Sequence, residues 1–188
     1  MRSLLAVVAL SVGTLIGLQL PDTDQVFTLV LVHRSILIHS FLLPLGRYLL
    51  ARGRERWLTL GSAGVSFAVA IHLAFDRFPR RWLSFAQLHA PLVGRLDPSF
   101  SGLWIAVRIV VCGVLGLRRV RDRRDLALCL AAVAWGFVVA ARREAMWYMP
   151  LICLILAFAV AACLPNPVID GRATARRWAA GMSRARHL

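Results

Sequence analysis

Long apolar runs separated by short polar connections dominate this chain. Most runs are close to the roughly 20 residues that a membrane-spanning helix needs, and the fifth is somewhat short. The pattern predicts an all-α, polytopic transmembrane bundle of about six helices, with residues 1–164 as a single domain. No small-residue cleavage site follows the first run, so we expect it to remain as a helix. The six segments are 3–20, 26–50, 57–75, 100–117, 125–141 and 146–164.

Charge and composition give this bundle an expected orientation. The chain has 188 residues, 59% of them hydrophobic, and a net charge of +14 that comes from 23 arginines and no lysine. The apolar content excludes disorder and argues against a water-soluble DNA-binding protein. With both termini in the cytoplasm, 15 arginines fall on the cytoplasmic side and six outside, which matches the positive-inside bias. The Arg-rich segment 165–188 is then a cytoplasmic tail, and the expected partners are membrane lipids rather than nucleic acid.

Ionisable residues near the outer ends of the early segments are the candidate functional groups. Such groups are costly in a membrane, so each needs a partner or a role. Two aspartates precede the second segment, two histidines and an arginine lie within it, and a histidine and an aspartate end the third. With the expected topology they converge on the outer membrane face. These residues are Asp22, Asp24, His33, Arg34, His39, His72 and Asp76.

This combination of residues has the chemistry of a metal site. Carboxylates together with neutral imidazoles suit Zn, Mn or Fe better than Mg or Ca. His72 and Asp76 are four residues apart, which places them on one helical face. Each piece alone has a simpler interpretation: a local hydrogen bond for His72 and Asp76, a turn or helix cap for Asp22 and Asp24, and a core histidine for His33. The occurrence of all three groups on one side of the membrane favours a metal site.

The motifs L-P-D-T-D at 20–24, H-R-S-I-L-I-H-S at 33–40 and H-L-A-F-D at 72–76 resemble those of the membrane-bound metal-dependent hydrolases. This is the inner-membrane group that includes the LexA-regulated bacterial member. The family pattern is L-P-D-x-D, then H-R-G-x-T-H-S, then H-L-x-x-D. The resemblance covers roughly residues 10–100, and it implies a hydrolase on a short multi-helix membrane domain in the bacterial inner membrane.

The central motif departs from the family pattern. It is one residue longer between its histidines, and Ile38 replaces the family's Thr. Residues six apart in a regular helix point about 120° from each other. His33 and His39 therefore face one ion only if the helix breaks near residues 34–36. Without that break, His39 orients another ligand instead of binding the ion.

Together, the residues and the resemblance predict a hydrolase that uses a divalent ion, with Zn expected and Mn or Fe as alternatives. The ion lowers the pKa of its water near neutral pH. Asp22, Asp24, His33, His72 and Asp76 are the expected ligands, with His39 as a sixth candidate. The candidate catalytic residues are Asp24 as a general base and Arg34 as a partner of an anionic ester.

The substrate we expect is a phosphoester of a lipid or of a lipid-linked head group. A transporter of protons or metal ions would use the same cluster, and a non-enzymatic scaffold would use it to tie helices together.

Two further features have alternative interpretations. Arg34 and Arg108, within the second and fourth segments, each either neutralise the aspartates or clamp an anion. The connection 77–99 mixes arginines with aromatic residues, which is typical of an interfacial anchor or of a lip over a substrate site. His89 and His187 have no motif around them and are expected at the surface.

Overall fold

The computed structural model describes residues 2–25, 35–36, 42–51, 53–78, 87–90, 93–142, 144 and 146–164. Within these residues the chain forms six α-helices, a 3-10 helix and one short hairpin. The helices are α1 (Arg2–Gln19), α2 (Leu42–Leu50), α3 (Arg56–Asp76), α4 (Pro98–Leu117), α5 (Arg123–Ala141) and α6 (Tyr148–Cys163). The 3-10 helix (Leu20–Gln25) follows α1, and the antiparallel strands β1 (His89–Ala90) and β2 (Gly94–Arg95) precede α4.

Four described segments are long and apolar enough to cross a membrane. They are α1 with the start of its 3-10 extension (Ser3–Thr23), α3, α4 and α5, while α6 is apolar but only 16 residues long. Large apolar side chains point outward along these helices, among them Leu103, Leu130 and Ile155. Outward apolar side chains suit lipid tails as the surroundings. The predicted all-α architecture is therefore confirmed, and four of its described helices are candidate membrane spans.

Helix α3 lies at the centre of the bundle. Fifteen of its 21 residues are buried, and it packs against α1, α4, α5 and α6. It runs parallel to α1, because Gly13 lies against Gly61 and Gly17 lies against Val65. It runs antiparallel to α4, because Gly102 lies beside Arg77 and Gly116 beside Phe67. Small residues on α1 and α3 allow the two backbones to approach closely, as is common between membrane helices.

The bundle has two chemically different ends. At the hairpin end, where the β1–β2 hairpin lies, α1 and α3 finish near Asp22 and Asp76, and α4 begins. At the arginine-rich end, α3 and α5 begin with Arg56 and Arg123. The sequence carries arginines at 54, 56, 118, 119, 121, 123 and 124 at this second end. The described candidate ligands Asp22, His72 and Asp76 thus lie at the opposite end of the bundle from these arginines.

The second apolar segment differs from the continuous helix expected over 26–50. Its described helical part is Leu42–Leu50. Ser35 instead forms a parallel bridge with His89, and the Ile36 N–H donates to the His89 carbonyl at 2.9 Å. An apolar run does not distinguish a helix from an extended segment when a neighbouring strand offers hydrogen-bond partners. The break falls where His33 and His39 would require one in order to share an ion.

Candidate functional site

His72 is positioned by the end of α1. It lies one turn before the end of α3, and its Nδ1 is 2.8 Å from the Leu18 carbonyl oxygen. Because α1 ends at Gln19, this carbonyl is among the last four of the helix, which have no partner within it. A carbonyl only accepts, so Nδ1 carries the proton and donates to it. The hydrogen bond fixes the imidazole and directs Nε2 away from α1.

Two carboxylates face that Nε2 atom. Asp76 Oδ2 lies 3.3 Å from it and Asp22 Oδ1 lies 3.6 Å from it. The spacing of four residues on α3 places Asp76 beside His72, and the 3-10 helix after α1 brings Asp22 to the same point. The side chains of His72 and Asp76 are 15% and 18% exposed, whereas Asp22 is 51% exposed. The cluster is therefore enclosed by the bundle on one side and open on the side of Asp22.

Leu20 and Pro21 explain why the chain turns at this place. Pro21 follows α1 and is buried, and the Thr23 hydroxyl donates to the Leu20 carbonyl at 2.7 Å. Proline fixes its own φ and suits the first turn of a new helical segment. The L-P-D motif therefore ends α1 and holds Asp22 over His72.

The donor chemistry of this cluster suits a divalent ion, although the described residues supply only part of a site. Two ligand atoms about 2.1 Å from a tetrahedral ion stand roughly 3.4 Å apart, close to the separations between Nε2 and the two carboxylates. A backbone carbonyl on Nδ1 is also the usual partner of a metal-binding histidine. Asp22, His72 and Asp76 do not form such a site by themselves, and no other group of three or more His, Cys, Asp or Glu side chains in the described part of the chain is arranged to hold a metal ion.

The remaining predicted ligands and catalytic residues lie outside that description. His33, Arg34 and His39 are outside the described residues, and so is the side chain of Asp24. Ser35, directly after Arg34, contacts the hairpin through its bridge to His89. The structure thus brings together Asp22, His72 and Asp76 from the predicted set.

His89 has a structural position that its sequence context does not indicate. Its backbone pairs with Arg95 in the hairpin and with Ser35. Its Nδ1 is buried and has no hydrogen-bond partner among the described residues. His89, expected at the surface, is half-buried, and its backbone is held in the hairpin. The sequence feature that could have indicated this hairpin is Gly94. In the structure its φ is 89°, which allows the tight turn.

The hairpin is held to α4 through the backbone of Leu88. This residue is fully buried, and its N–H donates to the Ser101 hydroxyl at 3.1 Å. The Leu88 carbonyl accepts from the Leu96 N–H at 2.9 Å. The described part of the connection 77–99 is therefore a cap that packs on the end of the bundle.

Arg108 lies within α4 and is 1% exposed. Its guanidinium carbon is 5.8 Å from the centre of the Trp104 ring, one turn away. Since α4 is antiparallel to α3, the Gly102–Arg77 and Gly116–Phe67 contacts place Arg108 at about the depth of His72 along the bundle. Both roles expected for Arg108 remain predictions.

A second polar cluster, not anticipated from the sequence, lies at the arginine-rich end. Asp125 is 1% exposed and accepts from Arg56 Nε at 2.9 Å. Asp122 caps α5 by accepting from the Asp125 N–H at 2.8 Å, which lowers the pKa of the Asp122 carboxyl. The D-R-R-D sequence at 122–125 has the spacing of a helix-capping motif, and this spacing could have indicated the cap of α5. This cluster ties α3 to α5.

Arg119 and Arg121 also connect elements at this end. Arg121 donates to the Thr59 hydroxyl at 3.1 Å. Arg119 donates to the Ala51 carbonyl at 3.4 Å, and its guanidinium carbon lies 3.8 Å from the centre of the Tyr48 ring. Some arginines of the expected cytoplasmic loops therefore have structural roles.

Comparison with protein-family models, with curated proteins and with solved structures gives no match to this chain.

Proposed function

We propose that this protein is a membrane-bound metal-dependent hydrolase whose site lies at the hairpin end of the bundle. The observation that carries the proposal is the orientation of His72. Its Nδ1 donates to the Leu18 carbonyl at 2.8 Å, so that Nε2 faces Asp76 and Asp22. A histidine held in this tautomer between two carboxylates is a typical start of a metal-binding set.

In this proposal, Asp22, His72 and Asp76 bind a divalent ion, with Zn expected and Mn or Fe as alternatives. Asp24, His33 and His39 supply the further ligands that the sequence motifs predict. The Leu18 carbonyl keeps the His72 ring in place. When bound, the ion provides an activated water and stabilises negative charge on the reacting ester.

Two predicted residues complete the proposed chemistry. Asp24 accepts a proton from the attacking water as general base. Arg34 pairs with the anionic oxygens of the ester, since a guanidinium matches phosphate geometry. The cluster lies at the end of membrane-length helices, which is where lipid head groups are found. We therefore propose a phosphoester of a lipid or of a lipid-linked head group as the substrate class.

The proposed location is the bacterial cytoplasmic membrane, with six spans and both termini in the cytoplasm. The arginine-rich end supports this orientation, because arginines accumulate on the cytoplasmic side of membrane proteins. The hairpin end with Asp22 and Asp76 then faces outward. Four described segments have the length and composition of spans, and the segments 26–50 and 146–164 supply the other two in this proposal.

The metal content of detergent-purified protein tests the site. We expect about one or two equivalents of Zn or Mn per chain after loading, lost in both His72→Ala and Asp76→Asn. Asp97→Asn is the matched control, since Asp97 lies at the same end and caps α4 by accepting from the Ser99 N–H at 2.8 Å. Asparagine preserves such a cap. Metal-free wild type after loading, or unchanged metal in both variants, would reject the site.

Turnover separates the hydrolase from its alternatives. Wild-type protein loaded with metal should cleave a chromogenic phosphodiester, and Asp22→Asn should lose that activity with unchanged thermal stability. A transporter would instead lose ion flux in vesicles, and a scaffold would lose stability alone.

A further inference from the structure

A groove lies between α1, α2 and α3, on the part of the bundle nearer the arginine-rich end. Its volume is about 330 Å³, and residues from all three helices line it. This volume lies at the lower end of the range for ligand pockets, roughly 300–1,000 Å³. The groove is separate from the cluster at His72, and an inference about it does not depend on the proposed function.

The walls of the groove are mainly apolar and face the membrane. Val12 and Ile16 of α1, Leu50 of α2 and Leu58 of α3 line it. Leu50 is highly exposed, and Val12 is half exposed, so the groove opens toward the surrounding lipid. Gly13 and Gly61 form its floor where α1 and α3 approach each other. An acyl chain has the shape and polarity that these walls accept.

The polar residues of the groove indicate where the head group of a bound lipid would lie. Arg47, in the last turn of α2, lines the groove and is exposed. Trp57, one residue after the start of α3, lines it as well. Arginine and tryptophan are both typical of the membrane–water interface. An anionic head group at Arg47 would therefore lie at interface depth, with its chain extending along α1 toward Ile16.

Ser62 provides a second polar group in the same groove. It is 4% exposed, and its hydroxyl has no hydrogen-bond partner among the described residues. A buried hydroxyl without a partner is costly. Rotation about χ1 would turn this hydroxyl toward the groove, where the ester carbonyl of a glycerolipid offers an acceptor. Phosphate, ester and chain end then follow the order Arg47, Ser62 and Ile16.

We propose that this groove binds one acyl chain of an anionic glycerophospholipid, with the lipid phosphate paired to Arg47. The test is native mass spectrometry of the full chain released from nanodiscs that contain equal amounts of dioleoyl phosphatidylglycerol and dioleoyl phosphatidylcholine. We expect one retained lipid per chain with preference for phosphatidylglycerol. Free glycerol phosphate should not compete, because it lacks the chain.

Two variants test the contact with the lipid phosphate and the contact with the acyl chain separately. Arg47→Gln should weaken the preference for phosphatidylglycerol about fivefold, the effect of one arginine near an anionic surface. Val12→Trp should abolish retention by filling the groove. The matched controls are Arg123→Gln, an exposed arginine at the same end that does not line the groove, and Val8→Trp. Val8 and Val12 are both 48% exposed, but only Val12 lines the groove.

The controls also separate this site from general attraction of lipids to a basic protein. An equal loss of preference in Arg47→Gln and Arg123→Gln would overturn the assignment of the phosphate. Retention in Val12→Trp equal to that in Val8→Trp would overturn the groove. Competition by free glycerol phosphate would show that an anion without a chain occupies Arg47, and this result would also overturn the proposal.

Discussion

Arg56 and Asp125 form an ion pair whose two members differ in burial. Asp125 is 1% exposed, whereas the Arg56 side chain is 36% exposed. The cost of breaking such a pair comes mainly from the charge that stays behind without compensation. Removal of Arg56 leaves a carboxylate inside the bundle, while removal of Asp125 leaves a guanidinium that water reaches.

We therefore predict that the two single substitutions differ in cost. Arg56→Gln should lower the free energy of unfolding by about 3–5 kcal/mol, the range for an abandoned buried charge. Asp125→Asn should cost about 1 kcal/mol, since a partly solvated arginine contributes little. Unfolding in mixed detergent micelles measures both values. Equal costs for the two variants would contradict this account of the pair.

Individual residues of the candidate site differ in how far their positions could be predicted from the sequence. The pairing of His72 with Asp76 follows from a local rule, the four-residue spacing on α3. The approach of Asp22 and of the Leu18 carbonyl to His72 depends instead on the packing of α1 against α3. The burial of Asp125 and the position of His89 likewise depend on contacts with distant elements. A single sequence does not specify those contacts.

At the scale of elements, α1 and α3 approach each other closely at their glycines. Small residues repeat on α1 at positions 13 and 17, the G-x-x-x-G spacing that lets membrane helices approach. A Cβ atom added at Gly13 would collide with the Gly61 carbonyl oxygen. That oxygen belongs to the backbone of α3, so it moves only if the helices separate. The separation would also displace the Leu18 carbonyl from His72.

Two glycine substitutions test this close approach, one at the contact and one at an open position. Gly13→Ala should destabilise the protein by about 1–3 kcal/mol, the usual cost of overpacking. Gly46→Ala in α2 should be neutral or stabilising by up to about 1 kcal/mol, because alanine favours a helix and nothing lies within 4 Å of an added Cβ there. Thermal unfolding in one detergent compares them. Equal stability of the two variants would show that α1 and α3 are not held at the described distance.

Hydropathy predicts some of these elements better than others. The ends of α1, α3, α4, α5 and α6 lie within about two residues of the apolar segments in the sequence, because a helix in lipid satisfies its own backbone. The segment 26–50 differs, because Ser35 pairs with His89 of the hairpin. Hydropathy reports that a segment is apolar, and it does not report a neighbouring strand that supplies hydrogen bonds.

At the scale of the whole molecule, the two ends have different composition and different roles. The arginine-rich end is held by the ion pair between Arg56 of α3 and Asp125 of α5, and by the hydrogen bond from Arg119, after α4, to Ala51, after α2. The hairpin end carries the His72 cluster and the cap formed by the hairpin. The groove proposed to bind a lipid opens nearer the first end, and the proposed metal site lies at the second. In the proposed orientation, a substrate from the outer leaflet would reach the metal site without displacing a lipid at Arg47.

The orientation of these ends leads to a labelling experiment on intact cells. Val93 is 74% exposed in the hairpin, and Arg123 is exposed at the start of α5. In a Cys163→Ser background, which removes the exposed native cysteine, a membrane-impermeant maleimide should label Val93→Cys. It should leave Arg123→Cys unlabelled until the cells are permeabilised, because the proposed orientation places the arginine-rich end in the cytoplasm. Labelling of Arg123→Cys alone would invert the topology and direct the His72 cluster inward. Labelling of both residues in intact cells would contradict the placement of the two ends on opposite sides of a membrane.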